Sequence, residues 1–131
     1  MHNKLNEILA EISAGELIDK ITILEIKKLK ISDTEKTKDI QKELSSLNDT
    51  LEKTIPDVSK IKILIEKLKT INLKLWDIEN GKRLAEKNND FGKKFIELAR
   101  SVYKTNDERS KIKLEINIIF NSNIKEVKSY Y

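Results

Sequence analysis

The chain has 131 residues, of which 38% are hydrophobic and 37% carry a charge. This length is typical of one domain with its own core, so residues 1–131 are predicted to form a single helical domain. It contains no cysteine and a single histidine, His2, so disulfides and cysteine-ligated zinc are excluded, histidine-based catalysis is disfavoured, and no metal or cofactor is expected. The net charge of +4 comes from 26 basic and 22 acidic residues, a near balance that is typical of solvated helix faces and argues against nucleic-acid binding.

Apolar runs are short throughout the sequence. None is long enough to span a bilayer, and the first residues lack the hydrophobic region of a signal peptide. The sequence therefore predicts a cytoplasmic protein without a membrane span. Only 3 glycines and 1 proline are present, which favours long helices over a sandwich or barrel, because those folds need more turn residues.

The first two predicted helices lie before and after the start of a capping motif, SAGE, at residues 13–16. Ser13 is placed to cap a helix start, and Glu16, three residues further on, is placed to reach back to the Ser13 N–H. The apolar spacing that follows predicts a helix over 14–31. Residues 5–12 predict a short helix of their own. Its apolar side chains would share one face: Leu5, Ile8, Leu9 and Ile12.

The middle of the sequence contains a second capping motif and the proline. SDTE at residues 32–35 predicts a helix over 33–53, and its thin apolar face favours a protruding or variable element spanning 32–56. Pro56 separates this helix from the next, because proline is tolerated only in a first turn. A third helix is predicted from Asp57. Its apolar residues repeat at heptad spacing, which favours an antiparallel helical hairpin: Ile61, Leu64, Leu68, Ile71, Leu75 and Ile78.

The last third of the sequence predicts two further helices and an irregular tail. NNDFG at residues 88–92 offers Asn89 or Asp90 as the cap of a fourth helix, and KTND at 104–107 is a weaker break before a fifth. The predicted fold class is therefore all-α, a bundle of four or five helices that includes a long antiparallel helical hairpin. The predicted core consists of Leu17, Ile21, Leu24, Leu68, Ile71, Leu75, Phe95, Leu98 and Ile116.

Four motifs form a signature when they are taken together. They are SAGELIDKITILEIK at 13–27, LWDIE at 75–79, FIELARSVYKTNDERSKIKLEIN at 95–117 and KEVKSY at 125–130. The signature resembles a bacterial family of short all-helical proteins of unknown function, associated with gene clusters for cell-surface polysaccharide synthesis. The resemblance covers residues 12–31 and 71–130, whereas 32–70 matches nothing in detail. It implies a domain identity and supplies no catalytic residue.

Helix three carries a candidate functional stripe beside its heptad repeat. Trp76, Glu79, Arg83 and Glu86 follow 3-4-3 spacing and therefore share one helical face. A tryptophan bordering a row of acid, base and acid is consistent with the wall of a binding site. The alternative is structural. Trp76 would then anchor the edge of the core, and the charges would form helix-surface ion pairs, each contributing about a few tenths of a kcal/mol.

The last third of the sequence carries a second candidate stripe, within ARSVYKTNDERSKIK. Arg100, Tyr103 and Asp107 share a face if the helix continues, and Arg109 and Lys113 follow on the next turn. The cations suit recognition of carboxylate or phosphate, and a helix that starts at KTND would add free backbone N–H groups. The alternative is a capped turn, because Asp107 and Arg100 both suit the dipoles of flanking helices.

The two stripes are predicted to face each other across the core as one ligand-binding site. No catalytic residue is assigned within it. Asp19 and Lys20, on helix one, are interpreted as members of structural ion pairs at the core edge. The predicted ligand-binding residues are Trp76, Glu79, Arg83, Arg100, Tyr103, Asp107, Arg109 and Lys113.

These residues favour a binding or accessory module whose polar seam takes a small anionic ligand or a protein partner. The resemblance adds a role in cell-surface polysaccharide synthesis. The alternative is a small all-α enzyme acting on an anionic or nucleotide-type substrate. A metal-dependent version of that enzyme would need Glu79, Glu86 and Asp107 as ligands. A homodimer is plausible, because heptad helices often bury leftover apolar surface by pairing.

Overall fold

The computed structural model describes residues 5–130, so His2 lies outside the described residues. The described part contains α1 (Ala14–Lys30), α2 (Thr34–Thr54), a 3-10 turn (Ser59–Ile61), α3 (Lys62–Lys87) and α4 (Lys93–Ile119), and no strand. The all-α prediction is therefore confirmed. No helix among residues 5–130 is long and apolar enough to cross a membrane.

The first turn of α1 is capped both locally and by the far end of the chain. Ser13 has extended backbone, and its Oγ accepts a hydrogen bond from the Glu16 N–H at 3.0 Å, as the SAGE motif predicted. The Ala14 N–H donates to Ser122 Oγ at 3.1 Å, and the Gly15 N–H donates to Asn117 Oδ1 at 2.6 Å. The prediction that Glu16 serves the cap is wrong, because its carboxylate pairs with cations instead.

Helix α1 lies in the middle of the bundle and is buried on two faces. One face packs against α2 through Leu17, Ile21 and Leu24. The opposite face packs through Ile18 against α3 and α4, in a cluster that also contains Ile61, Leu64, Leu68, Ile71, Ile112 and Ile116. A helix buried on both sides accounts for the dense apolar content of ELIDKITILEI.

Helix α2 packs on α1 and buries little of its own surface. Asp33 caps its first turn, because Asp33 Oδ1 accepts from the Lys36 N–H at 3.0 Å, so Asp33 takes the cap position and not Ser32. Two of its residues, Ile40 and Leu44, are buried, and they lie against α1. The thin apolar face predicted from the sequence is confirmed.

Helix α3 begins five residues later than predicted. Pro56 is followed by a turn in which Asp57 Oδ1 accepts from the Ser59 N–H at 3.0 Å, and this local hydrogen bonding competes with helix formation. The hydrogen bonds from Ser59 also lower the pKa of Asp57. The heptad prediction is confirmed, because five of its six apolar residues are buried and Leu75 is half-buried.

Helices α3 and α4 form the predicted long antiparallel hairpin. Asn89 ends α3 in the left-handed conformation, with φ of 53°, and the Asp90 N–H donates to the Ala85 carbonyl at 2.8 Å, as in a Schellman motif. The prediction that Asn89 or Asp90 caps the next helix is therefore wrong. The residue before α4 is Gly92, which makes no side-chain cap.

Helix α4 runs without a break through residues 104–107, so the predicted division into a fourth and a fifth helix is wrong. Lys-Thr-Asn-Asp contains neither glycine nor proline, and the helix propensities of these residues cost only about 0.7 kcal/mol each at most. Packing outweighs that cost, because Thr105 is buried at 2% exposure. The free N–H groups expected at the start of a fifth helix do not exist.

The outer half of the hairpin, residues 84–103, is called here the hairpin arm. No residue between Ile78 and Thr105 is buried, and Phe95 and Leu98 are half-buried where the sequence predicted core residues. Two helices in contact cover only one face of each other, and the exposure of residues 84–103 indicates that neither α1 nor α2 covers this part of the hairpin. Of the other predicted core residues, Leu75 is half-buried and the remaining six are buried.

The two ends of the described chain lie together beside α1. Residues 5–13 are not helical, so the predicted short helix is wrong, and Leu5, Ile8 and Leu9 are at least 74% exposed. The tail is irregular, as predicted. Glu126 Oε1 accepts from the Ser13 hydroxyl at 2.5 Å, so the tail is fastened to the start of α1.

Candidate functional site

A cleft of about 350 Å³ lies between the carboxyl-terminal half of α1 and the middle of α3, and residue 109 of α4 contributes to it. We call it the α1–α3 cleft. Its walls combine apolar side chains with amides, cations and a carboxylate. The lining residues are Ile23, Ile26, Lys27, Asn72, Leu75, Trp76, Glu79, Asn80, Arg83 and Arg109. A volume of this size is in the range of small-molecule sites.

The cleft brings together four of the eight predicted site residues: Trp76, Glu79, Arg83 and Arg109. The first three come from the α3 stripe, which lies against α1. Arg109 reaches the same space from α4. The predicted stripe is therefore one wall of a cleft, but the opposite wall is α1 and not the Arg100–Tyr103 face of α4.

Arg109 is fixed by a carboxylate of α1. Its Nε–H donates to Asp19 Oδ1 at 2.9 Å, and its Nη2 donates to Asp19 Oδ2. Asp19 has 0% exposure, and a buried carboxylate needs such a partner. These hydrogen bonds raise the pKa of Arg109 above its usual value, although burial opposes the shift, so the guanidinium stays charged.

Asp19 also organises a neutral hydrogen-bond network next to Arg109. Asn72 Nδ2 donates to Asp19 Oδ1 and to Thr22 Oγ1, at 2.9 Å in both cases. The Thr22 hydroxyl in turn donates to the Asp19 carbonyl at 2.8 Å. Both Thr22 and Asn72 are buried. The network joins α1 to α3 and holds Asn72 in one orientation at the inner end of the cleft.

Lys113 lies behind the cleft and is occupied by carboxylates. Its Nζ is 2.5 Å from Glu16 Oε2 and 3.8 Å from Asp19 Oδ2, and its side chain is 17% exposed. Glu16 also pairs with Lys20 at 3.7 Å. Asp19 and Lys20 therefore both belong to ion pairs, as interpreted from the sequence, Asp19 with Arg109 and Lys20 with Glu16. Lys113 supports the α1–α4 contact and does not line the cleft.

The charges at the rim of the cleft form weak, exposed pairs. Glu79 lies 3.3 Å from Lys82 and 3.8 Å from Arg83, whose side chain is 79% exposed. Exposed pairs of this kind contribute about 0–1 kcal/mol, so the pair with Glu79 does little to fix Arg83 in place. Trp76 beside them is half-buried. The rim therefore combines a half-buried aromatic ring with an exposed, weakly paired cation.

The three remaining predicted site residues lie elsewhere. Arg100 and Tyr103 are exposed on α4 and do not line the cleft. Asp107 pairs with Lys128 of the tail at 2.9 Å. Among residues 5–130 no group of three acidic or histidine side chains comes together as a metal site, so Glu79, Glu86 and Asp107 do not form the set considered from the sequence.

The predicted stripes include neither Asp19 nor Asn72, although both belong to the hydrogen-bond network at the cleft. A signal for both exists in the sequence. Ile18, Thr22 and Ile26 follow i, i+4, i+8 spacing and form a second buried face of α1, with Asp19 beside it. An aspartate on a buried face requires a cation from another helix. Asn72 similarly interrupts the heptad residues of α3 between Ile71 and Leu75.

The fold and the cleft define a small all-α bundle in which a buried ion pair orients an arginine at an open pocket. Residues 8–131 match a family of unknown function, DUF6165, and the chain belongs to this family. The match includes the region 32–70, for which the motifs gave no resemblance. No curated protein and no solved structure matches the chain. The prediction of a family of unknown function is confirmed.

Proposed function

We propose that this protein is a binding module that holds a small anionic ligand in the α1–α3 cleft. The observation that carries the proposal is the hydrogen bonding of the Arg109 guanidinium. A guanidinium has five N–H donors, of which two go to Asp19 and one goes to Asn106. Two N–H donors remain on a side chain that lines the cleft. They suit the paired oxygens of a carboxylate or phosphate.

The rest of the cleft supports a ligand larger than a bare anion. Ile23, Ile26 and Leu75 supply an apolar surface, and Trp76 adds an aromatic face. Lys27 and Arg83 add positive charge. With Glu79 as the acidic lining residue, the cations Lys27, Arg83 and Arg109 outnumber the carboxylates that line the cleft. A ligand with an anionic end and a less polar body fits this arrangement.

The family resemblance extends the proposal to a pathway class. The resemblance carried by the motifs implies an association with cell-surface polysaccharide gene clusters, and this favours an accessory role in that synthesis, with a nucleotide sugar or a related anionic intermediate as the ligand. A small enzyme acting on the same ligand is the second candidate. Glu79 favours it, because this carboxylate lines the cleft and carboxylates serve as general acids and bases. A homodimer and a protein partner remain predictions.

The test is a titration with inorganic phosphate and with acetate, followed by the fluorescence of Trp76, the single tryptophan of the chain, and by calorimetry. Arg109→Lys keeps a positive charge beside Asp19 but removes the planar pair of donors. We expect it to weaken binding on the order of tenfold, since charge-assisted hydrogen bonds contribute about 1.5–3 kcal/mol.

The matched control is Arg100→Ala, which removes an exposed arginine that does not line the cleft. It should leave the affinity unchanged, whereas Arg83→Ala should weaken binding modestly. Thermal unfolding by circular dichroism checks that each variant is folded. If wild-type protein binds neither anion, or if Arg109→Lys binds both as tightly as wild type does, the proposed function is wrong.

A further inference from the structure

The α1–α3 cleft contains a hydrogen-bond acceptor that a plain anion would leave without a partner. Both amide N–H groups of Asn72 point towards α1, because Nδ2 donates to Asp19 Oδ1 and to Thr22 Oγ1 at 2.9 Å. These two contacts fix the orientation of the amide. The oxygen, Asn72 Oδ1, therefore lies on the side of the amide away from Asp19 and Thr22.

The position of Asn72 Oδ1 follows from its lack of a partner. Within residues 5–130 this oxygen accepts no hydrogen bond, yet no buried side-chain polar atom of that region is left unsatisfied. The oxygen must therefore keep contact with solvent, although Asn72 is only 5% exposed. Asn72 lines the α1–α3 cleft, so the solvent that this oxygen reaches is the space of the cleft.

Asn72 and Arg109 both line the cleft and are linked through Asp19. The two side chains bind the same atom, since Asp19 Oδ1 accepts from Asn72 Nδ2 at 2.9 Å and from Arg109 Nε at 2.9 Å. An oxyanion held by Arg109 satisfies the guanidinium but cannot donate to an amide oxygen. The oxygen of the anion and Asn72 Oδ1 would repel each other if they lay side by side. An amide oxygen that has lost water and gained no donor also carries a desolvation cost.

We infer that the cleft selects anions that carry a hydroxyl group next to the anionic group. This inference rests on the proposed function. The anionic oxygens accept from Arg109, and the neighbouring hydroxyl donates to Asn72 Oδ1. An α-hydroxy carboxylate and a phosphate ester with a hydroxyl on the adjacent carbon, as in a sugar phosphate, share this chemistry. Asn72 is then the residue that determines specificity, and Asp19 and Thr22 position it.

The experiment compares matched ligands that differ by one hydroxyl. Lactate is measured against propionate, and 2-hydroxypropyl phosphate against propyl phosphate, by Trp76 fluorescence and calorimetry. Wild-type protein should prefer the hydroxylated ligand in at least one pair by about tenfold, the effect of one hydrogen bond of roughly 1.4 kcal/mol. The pair that shows the larger preference identifies the anion as carboxylate or phosphate.

Two variants assign the preference to one side chain. Asn72→Leu has similar size and lacks the acceptor, so it should bind anions while bringing the affinity ratio of each pair close to one. Asn72→Ser, whose hydroxyl is too short to reach the same point, serves if the leucine variant does not fold. Asn80→Leu is the control, because Asn80 also lines the cleft but lies at its exposed side. It should leave the ratio unchanged.

Different results would contradict this inference and the proposed function. Equal affinities within both pairs for wild-type protein overturn the selection of hydroxylated anions and leave anion binding intact. A preference that persists in Asn72→Leu or Asn72→Ser, or that is lost in Asn80→Leu, also overturns it. If wild-type protein binds none of the four ligands, both the proposed function and this inference are wrong.

Discussion

Gly15 marks the closest approach of α1 to α4. A Cβ atom at this position would lie 2.4 Å from the Lys113 carbonyl oxygen and 2.9 Å from Asn117 Oδ1. The first of these atoms is backbone and cannot move without shifting the helix. Gly15→Ala should therefore destabilise the protein by about 1–3 kcal/mol, as overpacking does. Denaturant unfolding measures this change.

The control for this prediction is Gly92→Ala. At Gly92 a Cβ atom would meet only Asp90 Oδ1, at 3.4 Å, and the backbone has a negative φ. Its free energy of unfolding should change by no more than about 0.5 kcal/mol. Equal effects of the two substitutions would mean that α1 and α4 do not approach as closely as described.

At the residue scale, cations were easier to predict from the sequence than their partners. Arg109 was predicted as a site residue because its charge and spacing were visible in the sequence. Its partner, Asp19, lies 90 residues away in the chain. Which carboxylate meets which cation depends on how three helices pack, and helix periodicity within one segment carries no such information. The same reason explains why Arg100 was predicted beside Trp76.

Helix α2 has the fewest buried residues of the four α-helices. It buries two residues, Ile40 and Leu44, whereas α3 buries five, including Leu68 and Ile71. Opening of α2 therefore exposes little apolar area, and its amides should exchange with solvent faster than those of residues 62–78 of α3. Hydrogen–deuterium exchange followed by mass spectrometry measures both in one sample. Slower exchange in α2 than in α3 would contradict the prediction.

Helix starts at SAGE and SDTE were predicted to within a residue, because a cap depends on neighbouring residues and on little else. The break predicted at KTND failed for the opposite reason. Thr105 is buried there, and packing against the bundle keeps the helix continuous. Local signals therefore identified the ends of helices that have specific capping residues. They also predicted a break at residues 104–107 that is absent, because tertiary contacts keep the helix continuous there.

On the scale of the whole molecule, the hairpin arm carries exposed apolar side chains. Leu84, Phe91 and Ile96 are 50–60% exposed, beyond the part of the hairpin that α1 covers. A homodimer that pairs two arms would bury them, and we predict this dimer. Light scattering after size-exclusion chromatography should give twice the chain mass. Ile96→Lys should shift the protein towards the monomer.

The control for the dimer is Ile63→Lys. Ile63 is 69% exposed, but it lies near the start of α3 and outside the arm. This substitution should leave the mass unchanged. A monomeric wild-type protein, or equal effects of the two substitutions, would contradict pairing through the arm.

The bundle as a whole depends on α1, which separates two apolar clusters and carries Asp19 towards α3 and α4. The all-α class followed from composition and heptad spacing. The central position of α1 did not, because only one of its two apolar faces was recognised. Since the α1–α3 cleft lies along the second face, the half of the site contributed by α1 could not be predicted without it.

A nuclear magnetic resonance titration of isotope-labelled protein with inorganic phosphate tests most directly whether the α1–α3 cleft holds an anion on Arg109. We expect the Nε–H resonance of Arg109 and the indole N–H resonance of Trp76 to shift together and saturate with one affinity. Shifts that do not saturate and are spread over lysine side chains, such as those of α2, would contradict this expectation.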